Sequence, residues 1–232
     1  MDELLSPQVL PLIVGQLIIL ILSIAVHEFG HAWVADRLGD RLPRQQGRVT
    51  LNPIAHADPI GTLALPIFAL IASHGASIGF GWGKPVQTQP NTYTRRFHMR
   101  TGHMMVAFAG PFMNLVFGTL IGVVLYVLVH TGVFPKNPFQ SESLLPMMVI
   151  NAIWTNYVLM FFNLIPARPL DGGAVLEGLL PDRILRSPGF AQYQRYSMFI
   201  AAAFMFIPTL AKVFIWPATQ MLNFVLRVVG IL

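Results

Sequence analysis

The 232-residue sequence contains no cysteine, which excludes disulfides, thiolate metal sites and cysteine nucleophiles. Charge is nearly as scarce. Asp, Glu, Lys and Arg make up 11% of the chain, against about a quarter in a soluble domain of this length, while hydrophobic residues reach 54%. The short segments of about ten alternating residues that a membrane barrel needs are missing. Also missing is a positively charged region ahead of the first apolar run, since MDELLSPQVL is acidic; a cleaved signal peptide is not expected and the run reads as a retained helix. The net charge of +5 comes mostly from arginines grouped between apolar runs, a pattern that orients a chain in a membrane and argues against nucleic acid as a partner.

What is present is a series of apolar stretches, uncharged or nearly so, of the roughly 20 residues that a spanning helix requires. They cover residues 7–35, 60–83, 101–131 and 143–167, and two further apolar pieces separated by Lys212 follow about residue 196. The fold class is therefore an all-α polytopic membrane protein with about 4–6 transmembrane helices. The second run is broken by Pro66 and many glycines, which fits a re-entrant segment as well as a helix. Ahead of it, RVTL at residues 48–51 has short strand character, so a small membrane-associated β or re-entrant element is expected between the first crossing and the next full one. Gly118 and Gly122 have the spacing that lets helices approach closely, a pattern common by chance.

Placing the basic connectors on one side decides among topologies. If the N-terminus is outside and the second run only dips in and returns, the connectors with Arg37 to Arg48, Lys84 to Arg100 and Arg168 to Arg195 all face the cytoplasm. The ends of the first and fourth runs then lie at similar depth.

Those two ends carry the chemistry. Between residues 6 and 35 the only formal charge is Glu28, flanked by His27 and His31 in HEFGH. Ionisable side chains inside a membrane are costly and mark function. Two histidines four apart share a helix face and can hold one metal, and the adjoining Glu28 can take a proton from water. Imidazoles with one carboxylate and an open position are the donors of a catalytic zinc site, so one zinc ion is expected. A third protein ligand is needed. Asp171, approached through Pro166 and Pro169 and followed by two glycines, is one candidate; His56 in IAHADP is its competitor. His74, His98, His103 and His130 have no partner at metal-binding spacing.

HEFGH in the first run, FAGPFMN in the third and NLIPARPLDGG at the end of the fourth together resemble the site-2 protease family of intramembrane zinc metalloproteases. LNPIAHADPIGT and FGWGKPV further resemble its compact bacterial members, and the similarity covers about residues 15–180. The resemblance implies that His27, His31 and Asp171 ligate zinc, that Glu28 is the general base, and that the substrate is a transmembrane segment of another protein. It places Asn163 near the metal as a catalytic candidate binding substrate backbone or the oxyanion. Asn114 would be a supporting polar contact; for both, a hydrogen bond between helices is the competing role. Residues 1–232 then read as one integral membrane metalloprotease domain, with a catalytic core at about 7–180 and C-terminal helices at about 196–232.

Two departures stand out: there is no room for the PDZ or CBS domains of many relatives, and Arg168 stands where a small or apolar residue is expected. The expected setting is the cell membrane, multi-pass, with the site nearer the cytoplasmic side. The expected partners are the lipid bilayer and a transmembrane substrate, with a homo-oligomer also compatible. A helix has to be extended before its peptide bonds can be cut, and RVTL and GFGWGKPV are candidate edges for that pairing. The alternatives are an ion or proton transporter, against which the absence of an inverted repeat counts, and a non-catalytic metal-binding membrane protein, for which Glu28 has no use.

Overall fold

A computed structural model describes residues 10–73, 81–140 and 143–232. Asp2, Glu3, His74, Glu142, the first two residues of GFGWGKPV and the start of the first run lie outside the described residues.

The helices, in chain order, are α1 (Leu10–Arg37), α2 (Leu42–Gln45), α3 (Pro53–His56), α4 (Leu65–Ala72), α5 (Met99–His130), α6 (Leu145–Asn163), α7 (Asp171–Leu179), α8 (Asp182–Leu185), α9 (Pro188–Phe206) and α10 (Pro208–Val229). α1, α5 and α6 are each long and apolar enough to cross a membrane, and α9 with α10 passes the same test as a pair bent by 75°. At 1.5 Å per residue α1 and α5 run about 42 and 48 Å, so both extend beyond a hydrocarbon core of about 30 Å.

α1 ends where the sequence changes character. Gly39 adopts φ +105°, a left-handed conformation that stops a helix at little cost only in glycine. Asp40 just beyond is fully buried, accepting from the amides of Leu42 at 3.0 Å and Gln89 at 2.5 Å. Asp36 pairs with Arg44 through two hydrogen bonds, at 2.8 and 2.6 Å.

The second apolar run does not cross. A π-helical turn (Pro59–Ala64) leads into the eight residues of α4, about 12 Å of helix. On the far side of residues 74–80 the chain is back where it started. Trp82 donates to the Gly61 carbonyl at 3.1 Å, Lys84 to that of His56 at 2.9 Å, and the Thr62 hydroxyl to that of Trp82 at 2.9 Å. A full crossing would leave the two ends a bilayer apart, so the re-entrant expectation holds in this respect. Its β part does not: among the described residues there is no strand. Residues 48–51 bend, because Arg48, 4% exposed, donates to the carbonyls of Ala55 and Lys84, while the Thr50 carbonyl accepts from the His56 ring at 2.8 Å.

The C-terminal break also differs from expectation. It falls at Ile207, not at Lys212, because Pro208 cannot continue α9. Ala211 and Phe214 of α10 pack with Phe162, Ile165 and Ala167 at the end of α6. Leu226 and Val229 pack with Val129 and Ile150 at the opposite end of the bundle. α10 therefore runs the length of α6, while α9 turns away beneath it.

Candidate metal centre

α1, α5 and the chain after α6 meet at one point. Gly30 and Gly110 bring the first two together: a Cβ on Gly30 would lie 2.6 Å from the Ala109 carbonyl oxygen, and one on Gly110 would lie 2.4 Å from His31 Nε2 and 2.7 Å from His27 Nε2. The backbone of α5 at Gly110 is thus a floor beneath both imidazoles, and a methyl group would fill the space between them.

The hydrogen bonds fix which ring nitrogens carry protons. His31 Nδ1 is 2.7 Å from the Val106 carbonyl, which can only accept, so Nδ1 is the donor. His27 Nδ1 is 2.6 Å from Asn114 Oδ1. The orientation of that amide is set in turn, because its Nδ2 donates to the Ser23 carbonyl at 3.0 Å and to Asn156 Oδ1 at 2.9 Å. Asn156 donates onward to Ser23 Oγ at 2.9 Å. Ser23, Asn114 and Asn156 are all completely buried. Both neutral imidazoles therefore present an unprotonated Nε2.

Those two lone pairs point at each other and at a carboxylate. The Nε2 atoms are 3.1 Å apart, and Asp171 Oδ2 is 3.1 Å from His27 Nε2 and 3.4 Å from His31 Nε2. Oδ2 is buried and has no hydrogen-bond partner. With both imidazoles neutral, these are three acceptors facing one another, and a cation in the middle relieves their repulsion. Metal–ligand bonds of about 2.0–2.1 Å in a tetrahedron place donor atoms about 3.3–3.4 Å apart, and the three observed separations are close to this. The donor set fits zinc.

Asp171 reaches this point as the first residue of α7, not from a turn at a helix exit. A Cβ on Gly172 would lie 2.3 Å from the Ile165 carbonyl oxygen, and one on Gly173 3.0 Å from the Arg168 amide; the glycines let α7 start flush against residues 164–168. Arg168 pairs with Glu177 on α7 at 3.1 and 2.7 Å, and its amide donates to Ser197 of α9. The unexpected arginine thus braces the helix that begins with Asp171. Burial alone would raise the Glu177 carboxyl, but the Arg168 guanidinium holds it below its ordinary value.

The acidic residues of the first connector have different tasks. Asp36 and Asp40 are held as described above, and Asp58 caps the π-helical turn through the amides of Ile60 and Gly61. His56, fully buried, donates Nε2–H to Thr50. Burial pushes its pKa down, and it is not part of the group of His27, His31 and Asp171.

Glu28 lies beside the three donors, its Oε2 accepting from the Val86 amide at 3.1 Å. An open cleft of about 250 Å³ adjoins it, lined among others by Ile24, Trp82, Val86, His103 and Asn163. Asn163 spends its Nδ2 on the Leu159 carbonyl at 2.9 Å. His103 has no partner at metal-binding spacing in the sequence, yet it lines the cleft and its Nδ1 is buried without a partner among the described residues. Helical periodicity carries the signal: residues 103, 106, 110 and 114 share one face of α5. Residues 48–51 do not line the cleft, whereas Gly81, Trp82, Gly83, Pro85, Val86 and Thr88 do.

Comparison with known proteins agrees with this geometry. The profile of peptidase family M50 matches residues 15–150 and 139–208. A protein of Bacillus subtilis (strain 168) named "Putative zinc metalloprotease YwhC" is 36% identical over 204 residues, covering 86% of this chain and 83% of the relative. Two mycobacterial proteins named Rip2, with the same description, are also similar. The one from Mycolicibacterium smegmatis is 30% identical over 84% of this chain and 67% of its own, and the one from Mycobacterium tuberculosis 27% identical over 82% and 66%. No solved structure matches the chain. With a family profile spanning most of its length and apolar helices around a zinc-compatible donor set, the chain belongs to peptidase family M50, the site-2 protease family of membrane zinc proteases.

Proposed function

We propose that this protein is an intramembrane endopeptidase that cuts transmembrane segments of other membrane proteins, with His27, His31 and Asp171 holding zinc and Glu28 as general base. The observation that carries the reading is the cluster of His27 Nε2, His31 Nε2 and Asp171 Oδ2 at 3.1–3.4 Å from one another. When bound, zinc supplies Lewis acidity, polarising the scissile carbonyl and bringing the pKa of water towards about 7.

The chain's own groups do the rest. Asn114 and the Val106 carbonyl hold the two imidazoles in the tautomer that leaves Nε2 free. Val86 donates to one oxygen of Glu28, leaving the other to accept the proton of the attacking water and pass it to the departing amine. Asn163, on the cleft wall, would hydrogen-bond the substrate backbone or the developing oxyanion. An unwound substrate would lie along residues 81–88, which belong to no helix and of which Val86 contacts Glu28. Of the two candidate edges, RVTL and GFGWGKPV, this reading keeps the second. By the positive-inside rule, the basic connectors support a site on the cytoplasmic side of the cell membrane.

The test is the Glu28→Gln variant, purified and assayed for zinc and for cleavage of a panel of transmembrane substrates. Zinc retained with cleavage lost supports the proposal. Wild-type protein that binds no metal, or a Glu28→Gln variant that still cleaves, contradicts it. Proton or metal transport by reconstituted vesicles would favour a transporter.

A further inference from the structure

The helix that spans the bundle next to α6 carries a face that the described residues leave largely uncovered. Along α10, Ala211, Phe214, Ala218, Leu226 and Val229 are buried against the bundle. Val213, Phe224 and Val228, each more than half exposed, form an apolar flank suited to lipid. The remaining face is different in kind. At 100° per residue Lys212, Trp216, Thr219, Gln220, Asn223 and Arg227 fall on one stripe, some 22 Å long by rise per residue. Lys212, Trp216, Gln220 and Arg227 are exposed, and Thr219 and Asn223 half-buried.

The ends of the stripe look after themselves. Lys212 lies four residues from the start of α10 and Arg227 two from its end, so both can reach water at the membrane surfaces. Thr219 donates to the Ile215 carbonyl of its own helix at 2.8 Å. Gln220 and Asn223, in the middle, have no hydrogen-bond partner among the described residues. In hydrocarbon no water replaces one, and interhelical hydrogen bonds are the usual resolution.

We propose that this face of α10 is where two copies of the chain pair in the membrane. The chemistry selects the occupant. A carboxamide both donates and accepts, so it is complementary to itself, and a two-fold axis between parallel helices sets each residue near its own counterpart. A stripe built to hold an acidic partner would place its cations mid-span, whereas here they lie at the ends and amides occupy the centre.

The absence of native cysteine makes the test direct. Single substitutions Trp216→Cys and Thr219→Cys on the stripe, with Val213→Cys and Val228→Cys on the lipid flank, are oxidised in membranes expressing the full chain. Covalent dimers from the first pair and not from the second are expected. Equal crosslinking on both flanks, none on the stripe, or crosslinks from the stripe to a different protein would overturn the proposal. Independently, Gln220→Leu with Asn223→Leu should weaken self-association in lipid vesicles by at least about tenfold while zinc content stays at the wild-type level. Unchanged association in that variant would also overturn it.

Discussion

The two ends of the helix bundle are built from the same helices by different means. At the site end α1 and α5 approach closely through Gly30 and Gly110, and the buried side chains there include the polar Ser23, His27, Asn114 and Asn156. At the opposite end α5, α6 and α10 meet through Leu125, Val129, Ile150, Ile153, Tyr157 and Leu226, and the glycines Gly118 and Gly122 make room for the side chains of Tyr157 and Val225. One end spends its packing on aiming hydrogen-bonded groups, the other on filling volume. A polar network in hydrocarbon is costly when incomplete, so its concentration at one end indicates where geometry matters more than stability.

Substitutions at the two ends should separate zinc binding from stability. The largest effect is expected from Gly110→Ala, whose methyl group would lie 2.4 Å from His31 Nε2: a loss of zinc affinity of at least about a hundredfold, read by titration with a competing chelator. Gly118→Ala, whose Cβ would meet the Tyr157 ring at 2.9 Å, should leave zinc binding intact and lower thermal stability only. Next comes Asn114→Leu, which removes the acceptor that fixes the His27 tautomer; zinc affinity should fall about 10–100-fold and cleavage with it. At the far end Ile153→Ala, fully buried in wild type, should cost about 2–4 kcal/mol of stability through the cavity it leaves, with zinc content unchanged.

The smallest effect concerns the brace beside Asp171. Glu177 is held below its ordinary value by Arg168, so its contribution is present above the unfolded-state value and is lost as pH falls through the lower folded-state one. Both side chains are partly exposed, at 45% and 20%, which limits the pair to under about 1 kcal/mol. Glu177→Gln should remove that part of the acid sensitivity of unfolding and leave the neutral-pH zinc content unchanged.

Much of the site end was legible in the sequence because its signals are local. HEFGH places two imidazoles on one helical face by spacing alone, and charge distribution places the ends of the first and fourth runs at one depth. Helix bounds came within a few residues where a run was bounded by charge, as for α5. The fourth run was read four residues too long, since NLIPARPL stays apolar after α6 has ended. What was not legible depends on tertiary approach. Nothing local marks Gly110 as a floor for imidazoles or the Val86 amide as the partner of Glu28, and His103 joins the cleft only once α5 is docked. RVTL has strand composition, but Arg48 and His56 draw its surroundings into a bend.

The claim on which the rest depends is that Asp171 completes a zinc site with His27 and His31. Metal analysis of the purified wild-type protein beside Asp171→Ala tests it most directly. One zinc ion per chain in the wild type and near none in the variant is the predicted result; full zinc in Asp171→Ala would contradict it.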